Sequence, residues 1–366
     1  MDNNRESDFI LLNRGDDLSL KYRESADCVL KIPFEFPMLN TKYSIAVVIH
    51  IFYVDLIVEI QDYLNNILFD FDIYISTDTL QKKIYIENQF MKFNKRVEVR
   101  VFPNRGRDIA PFVVGFRDVI EQYKYILHIH TKKSLTHPQA SEWRKYLFDR
   151  LLGSPEIIRS IFLLLEHKEI GMVFPDHYPF LKPFISWGGN YDLSKEELKR
   201  VNFNLSLSNR VEFPSGSMFW AKTEALKELF KQNYEWDSFP GEQGQINGTL
   251  AHSIERTFLY YVELSQRKWI KVDIDCGRVV NSIEDCSEII QGLPSILSYH
   301  PEQFEKLVND LCIKQSNRLI NLMQEVEIIS NERDYNKEII ENIYNSKSWK
   351  LSQFMLNVAK KLRVVE

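Results

Sequence analysis

The sequence predicts an α/β chain: a mainly parallel sheet flanked by helices, with a C-terminal helical extension. Two observations predict it. From residue 44 onward, short apolar runs alternate with segments of helical spacing, the signature of strands joined by helical crossovers. The strand-like runs are apolar throughout rather than alternating, as burial on both faces requires.

Residues 1–40 read as a polar lead-in with one strand-like piece, CVLKIPFEF. SIAVVIHIF (44–52) is the first regular strand, and DLIVEIQDYLNNIL (55–68) follows with helical spacing. FDIYIS (71–76) and TLQKKIYIENQFM (79–91) repeat the pair, as do VEVRVF (97–102) and IAPFVVGFRDVIEQ (109–122). KYILHIH (124–130) is a fourth strand. Helices are expected around 140–152 and 155–167, with Gly153-Ser154-Pro155 as the stop and restart signal. GMVFP (171–175) is a fifth strand and 176–213 a loop-rich insert. GSMFWAK (216–222) is a strand, TEALKELF a helix, 241–264 a long helix or helix pair, and WIKVDID (269–275) the closing strand. This divides the chain into a lead-in (1–40), a sheet domain (41–290) and a helical extension (291–366).

Bulk composition excludes several classes. The 366 residues carry 46 Lys plus Arg against 51 Asp plus Glu, a net charge of −5, which argues against a general nucleic-acid binder. The cysteines (Cys28, Cys276, Cys286, Cys312) form no C-x-x-C pair, so neither a zinc site nor a disulfide framework is expected, and a reducing cytosol fits. MDNNRESDFILLNRGDD lacks a basic region followed by an apolar run and is not read as a signal peptide. The longest apolar stretch, Tyr43 to Ile60, is interrupted by His50, Asp55 and Glu59, too polar for a bilayer. A soluble cytoplasmic protein is expected.

Polar chemistry gathers at the strand ends, where parallel sheets bind ligands. The first strand ends in His50-Ile51-Phe52-Tyr53, the second in Ser76-Thr77-Asp78-Thr79, the third in Asn104-Arg105-Gly106-Arg107-Asp108, the fourth in His128, His130, Thr131, Lys132, Lys133 and Ser134. Carboxylate, cations and a glycine that lets the backbone approach imply an anion with a nucleoside-like part. Plainer readings stand beside this one. NRGRD could be a surface turn with Asp108 as a helix N-cap, TKKS a solvated loop, and His128 and His130 neutral histidines sharing one strand face.

Beyond residue 300, Leu319, Leu322, Val326, Ile329, Ile340 and Ile343 fall on heptad steps if Arg333 and Asn336 are accepted between them. That suggests a homo-oligomer through the C-terminal helices, or a helix packing back on the domain. The final SKSWKLSQFMLNVAKKLRVVE mixes aromatic and basic residues, fitting peripheral contact with an anionic membrane or an ordinary surface helix.

The strand order resembles the glycosyltransferase-A fold. In that resemblance Ser76-Thr77-Asp78 matches the nucleoside-holding acidic motif and Asn104-Arg105-Gly106 the Asn-x-Gly turn. The metal-binding Asp-x-Asp is replaced by His128-Ile129-His130. More closely, the chain resembles the rhamnan synthesis protein F family. NRGRDIAPF (104–112), HTKKS (130–134), WRKYLFDRLLGS (143–154), GMVFP (171–175), SGSMFWAKTEAL (215–226) and EQGQINGTLAHSIER (242–256) carry the likeness in order. His128 departs from the Lys that usually precedes Ile-His there. The resemblance implies transfer of a deoxyhexose, with dTDP-rhamnose the favoured donor, to a glycan or lipid-linked glycan in bacterial polysaccharide synthesis. It implies an inverting enzyme at the inner face of the membrane. Another donor sugar, or a non-catalytic binding component, is the alternative.

Such a transfer builds negative charge on a departing diphosphate, so cations must already be in place. Each cation ~4 Å away contributes about 4 kcal/mol at an effective dielectric of ~20, before desolvation. The expected grip is Arg105, Arg107, His128, His130, Thr131, Lys132 and Lys133, with Asn104, Gly106 and Asp108 shaping it and Asp78 on the nucleoside. No cofactor is then required, although Mg2+ or Mn2+ on Asp108 and His130 is the alternative. Glu242 is the expected general base and Asp176 its competitor; a helix cap or salt bridge is the plainer reading of each. Ser215, Gly216, Ser217, Trp187 and Gln245 are assigned to sugar or acceptor. Trp220 is read as core, and His252, Glu255 and Arg256 as an internal ion pair.

Overall fold

A computed structural model describes residues 29–35, 43–131, 142–206, 209, 211–242, 248–297, 301–346, 349–351 and 353–354. The chain forms two units, Met1–Tyr299 and His300–Glu366.

The first unit is built on one sheet. Its strands are β1 (Val29–Lys31), β2 (Ile45–His50), β3 (Asp72–Thr77), β4 (Val97–Val101), β5 (Tyr125–His130), β6 (Ile170–Pro175), β7 (Phe219–Lys222) and β8 (Lys268–Asp273). They lie in the order β1-β8-β6-β7-β5-β2-β3-β4. Every neighbouring pair is parallel except those of β7, which runs against both β5 and β6. The expected mainly parallel sheet is therefore present. β1 pairs with β8 from Val29↔Lys271, so the lead-in supplies an edge strand instead of standing apart.

The helices are α1 (Ile57–Leu64), α2 (Leu80–Phe90), α3 (Arg117–Ile120), α4 (Trp143–Leu152), α5 (Pro155–Glu166), α6 (Tyr191–Lys199), α7 (Lys227–Phe230), α8 (Leu250–Leu264) and α9 (Ile283–Gln291), of which α6 and α9 have no counterpart among the helices expected from the sequence. Local chemistry sets several starts. The side chains of Thr79, Ser154 and Ser282 each accept from a first-turn backbone amide, capping α2, α5 and α9.

Two expected helices differ. The 109–122 segment is broken into a π-helical turn, Pro111–Gly115, and the short α3. Arg100 on β4 takes the Gly115 carbonyl at 2.9 Å, while a side chain on Gly115 would collide with the Phe102 ring, so this turn is shaped by the neighbouring strand. TEALKELF likewise splits into a 3-10 turn, Thr223–Leu226, and α7. The insert 176–213 is less loop-like than expected, since it contains α6, which packs on α8. α9 buries Cys286, Ile289 and Ile290 in the first unit, so the extension begins at residue 300 rather than 291.

The second unit contains α10 (Pro301–Asn345). Leu322, Val326, Ile329, Ile340 and Ile343 of the expected seam are exposed; the Leu319 side chain lies outside the described residues. No helix among the described residues is long and apolar enough to cross a membrane. Most of the terminal basic-aromatic segment also lies outside them.

Two topological facts position the site. The chain runs outward through β2, β3 and β4, then returns to β5 on the other side of β2, so the crossovers part at the carboxyl ends of β2 and β5. Being antiparallel, β7 starts beside the end of β5, with Phe219 opposite His128.

The core is aromatic beneath that edge. Trp220 is fully buried, meets Phe162 at 5.1 Å and donates its indole N–H to the Leu151 carbonyl at 3.1 Å. Trp220→Ala should lower stability by about 3–5 kcal/mol, read as a fall in urea midpoint; a change within error would mean the cavity collapses at no cost.

Candidate functional site

Ahead of β7, Pro214 to Ser217 form a turn in which the Ser217 amide donates to the Pro214 carbonyl at 2.8 Å. Gly216 and Ser217 both have left-handed backbone, φ +88 and +56. Gly216 has no room for a side chain: a Cβ would sit 2.9 Å from Leu147 and 3.1 Å from Trp143. The turn points two carbonyls at β5. His130 Nε2 lies 2.8 Å from the Gly216 oxygen and His128 Nδ1 2.6 Å from the Ser217 oxygen. A carbonyl only accepts, so each of these nitrogens carries its proton. On the other side the Gly216 amide donates to Glu255 Oε1 on α8 at 3.0 Å.

The facing rim is the loop after β4. Gly106 and Arg107 are again consecutive left-handed residues, φ +63 and +54. A side chain at 106 would be 2.6 Å from both Ala110 and Phe239. The Ile109 and Ala110 amides bond to the Gly106 carbonyl, and Asp108 turns inward instead of capping them. Asp108 is 7% exposed, its Oδ2 is buried without a hydrogen-bond partner, and His130 Nε2 is 4.0 Å away. Arg107, Asp108, His130, Gly216, Ser217, His252 and Glu255 thus line one small cleft at the carboxyl edge.

Electrostatics follow from burial. Desolvation pulls His50 and His128 down to about 4. His252 is drawn to about 4 by burial and by the Arg107 charge, and its Nε2 is buried without a partner while Nδ1 meets the Thr249 hydroxyl at 2.7 Å. For Asp108, burial acts to raise the pKa, but His130, His128 and His50 outweigh it and hold the carboxyl low. The cleft therefore combines a carboxylate held low with His252, whose imidazole burial keeps neutral at pH 7.

The expected diphosphate grip is only partly assembled by the described residues. Arg107 reaches the cleft, and its guanidinium lies 3.6 Å from the Glu242 carboxylate. Arg105 turns away: it pairs with Asp237 at 2.9 Å and with the Phe239 carbonyl, and its backbone bridges to Gly241. Asn104 offers its carbonyl to the Glu242 amide at 3.4 Å, so this loop carries Glu242 beside Arg107. His128 is no ligand for an anion, because its ring is interior, packed on Phe112 at 4.4 Å and Phe219 at 5.4 Å. Thr131 uses its hydroxyl on the amides of Phe52 and Tyr53, tying the ends of β2 and β5 together. Asp78 pairs with Lys82 at 2.6 Å. Lys132, Lys133 and Gln245 lie outside the described residues.

Three further expectations are corrected or refined. Trp187 is buried against Tyr191 and Tyr260 and has no free face for a sugar. Asp176 is not in this cleft: Lys182 at 2.6 Å and Lys271 at 3.2 Å hold it, and against the effect of burial they keep its carboxyl low, which makes a poor base. Ser215 hydrogen-bonds His177 Nδ1 at 2.9 Å, behind the turn.

The donor set also bears on a metal. The His130 nitrogen facing Asp108 is the protonated one bonded to Gly216, so it has no lone pair to give. Among the described residues no group of three or more His, Cys, Asp or Glu could hold a metal ion. The described residues do not fit the alternative of Mg2+ or Mn2+ on Asp108 and His130.

Residues 20–267 match the sequence profile of the rhamnan synthesis protein F family. The chain belongs to that family. The match runs through both rims of the cleft, from Asn104 to Glu255. The chain is also 36% identical over 215 residues to proteins named uncharacterized protein WxcX from two strains of Xanthomonas campestris pv. campestris. That alignment covers 58% of this chain and 30% of the relatives, so the chain spans less than a third of their length. Among solved structures, S. aureus TarS residues 1–349 is similar with a TM-score of 0.34 and 12% identity, over 67% of this chain and 63% of that one.

In this rhamnan synthesis protein F chain, sequence reasoning placed His50 at this edge but missed His252 and Glu255 as site neighbours. His252 and Glu255 are three apart on α8, so one helix face carries both, and the same face places Arg256 3.8 Å from Glu255. The expected ion pair exists, but Glu255 also anchors Gly216.

The buried histidines make a pH prediction. Their folded pKa values lie below the ordinary 6.5, so the unfolded chain takes up protons first as pH falls, and stability declines between about 6.5 and 4. Each contributes up to about 1.4 kcal/mol per pH unit. His128→Phe should be less stable at pH 7, where the Ser217 carbonyl loses its donor, yet fall less steeply on acidification. An unchanged slope in urea melts would place that imidazole in solvent.

Proposed function

We propose that the chain is a glycosyltransferase that moves a deoxyhexose, rhamnose foremost, from a nucleotide-activated donor to a growing polysaccharide. One observation carries the reading: Arg107 and Glu242 face each other 3.6 Å apart beside a cleft at the carboxyl edge of the sheet. At that distance the pair is loose, and a diphosphate competing for Arg107 leaves the Glu242 carboxylate free to act on an acceptor hydroxyl. Membership in a family named for rhamnan synthesis supports the choice of sugar.

The chemistry divides among the chain's own residues. As the anomeric carbon–oxygen bond to the diphosphate breaks, charge grows on the departing oxygen, and Arg107 with Lys132 and Lys133 neutralises it. The acceptor oxygen attacks the anomeric carbon from the opposite side while its proton passes to Glu242, inverting the configuration. We assign Asp108, buried close to His130 with one oxygen unpartnered, to accept a hydroxyl hydrogen bond from the sugar or ribose. The Gly216-Ser217 turn lets a ligand approach main chain.

Labelled dTDP-rhamnose, GDP-sugars and UDP-sugars, each followed for nucleotide release, test the proposal; release from dTDP-rhamnose above the others is expected. Binding without release from any donor would favour a non-catalytic component instead. Glu242→Gln should lower turnover by about 10²–10⁴ with donor affinity kept, whereas Arg107→Ala and Lys132→Ala should weaken donor binding. EDTA should leave release unchanged; loss restored by manganese would refute cationic side chains as the counter-charge.

A further inference from the structure

On the other side of β7 the same carboxyl edge holds a second, larger cavity of about 460 Å³, between the ends of β6 and β8, α4 and the 3-10 turn Pro179–Phe184. Its size is that of a ligand site for a small molecule or a few sugar rings. We propose that it binds a neutral oligosaccharide, the internal sugars of the acceptor chain. This rests on the glycosyltransferase reading for the ligand's purpose, and on the cavity alone for its chemistry.

Charge decides the class. Five carboxylates line the cavity against three cations, so a nucleotide or another polyanion meets repulsion there. The cations are already engaged: Lys145 with Asp149 at 2.7 Å, Arg150 with Asp273 at 2.7 Å and Asp275 at 2.6 Å, and Lys182 with Asp176 at 2.6 Å. Such mutually neutralised pairs retain lone pairs and N–H groups suited to uncharged hydroxyls. A divalent cation is disfavoured because the described residues supply no metal-holding group. The apolar part of the wall suits a sugar ring as well. Arg150 stacks on Tyr146 at 3.4 Å from the ring centroid, and Tyr178 meets Tyr146 edge-on at 5.2 Å, presenting a half-buried ring as a platform.

The cavity is wired to the cleft through the interior. Asp176 forms an ion pair with Lys271 at 3.2 Å, Lys271 lies 3.3 Å from Glu212, Glu212 pairs with His177, and His177 bonds Ser215, the neighbour of Gly216. All five side chains in that chain are buried. A glycan seated in the cavity therefore rests on the same rigid support that fixes the cleft's rim.

Cys276, an exposed free thiol in the cavity wall, supplies a readout that needs no mutation. The full chain is alkylated with iodoacetamide and modification mapped to Cys276 by mass spectrometry, with and without a neutral rhamnose trisaccharide. A several-fold slowing by the trisaccharide, and none by trigalacturonate, is expected. Equal rates with and without the neutral sugar, or equal protection by the anionic one, would overturn the proposal. Tyr178→Ala should weaken trisaccharide binding roughly tenfold while Tyr178→Phe retains it; equal affinity for both would remove the stacking platform. Protection without nucleotide release from any donor would keep this subsite and fail the transferase; release without protection would do the reverse.

Discussion

The antiparallel pairing of β7 with β5 is the constraint on which the site depends. It brings the Gly216-Ser217 turn against the end of β5, where two histidines on one strand face each need a partner. A buried imidazole without an acceptor is costly, and a buried carbonyl without a donor equally so. The turn resolves both deficits at once and fixes which nitrogen of each ring holds the proton. Everything around the cleft inherits that choice, including the nitrogen that His130 shows to Asp108 and the absence there of a lone pair for a metal.

A second layer of order lies beneath. The run from Asp176 through Lys271 and Glu212 to His177 and Ser215 places paired polar groups in the interior, with Lys182 joining it from the surface. Desolvation of such groups offsets much of their attraction, so the network contributes little net stability. Its worth is positional. Removing one member leaves its neighbours as uncompensated buried charges, and the 212–216 segment then has no single preferred geometry.

Much of this was legible in the sequence, for identifiable reasons. Continuous apolar runs placed β2, β3, β5 and β6 within a few residues, because burial on both faces leaves no other composition, whereas edge strand β4 alternates as VEVRV and buries only Val99. Direction was not legible: GSMFWAK reads as a strand either way, and only β5 and β6 on its two flanks make β7 antiparallel. Side-chain fate was legible only where it is local. His128 and His130 share a face by simple alternation, yet one is interior because Phe112 and Phe219 cover it, which no spacing in KYILHIH reveals. Asp176 was misplaced for the same reason, since its partner Lys271 arrives from β8, distant along the chain. Arg105 and Arg107 are near neighbours in sequence and part company because Asp237 and the Phe239 carbonyl hold the first.

Both walls of the cleft are made by a glycine followed by a residue with positive φ, Gly106-Arg107 and Gly216-Ser217. Main-chain dihedral angles thus set how far apart the two rims stand, while the side chains of Arg107, Asp108, His130, His252 and Glu255 fill the space between them. A bulkier guest has to be accommodated deeper in, by altering His252 or Glu255 at the back.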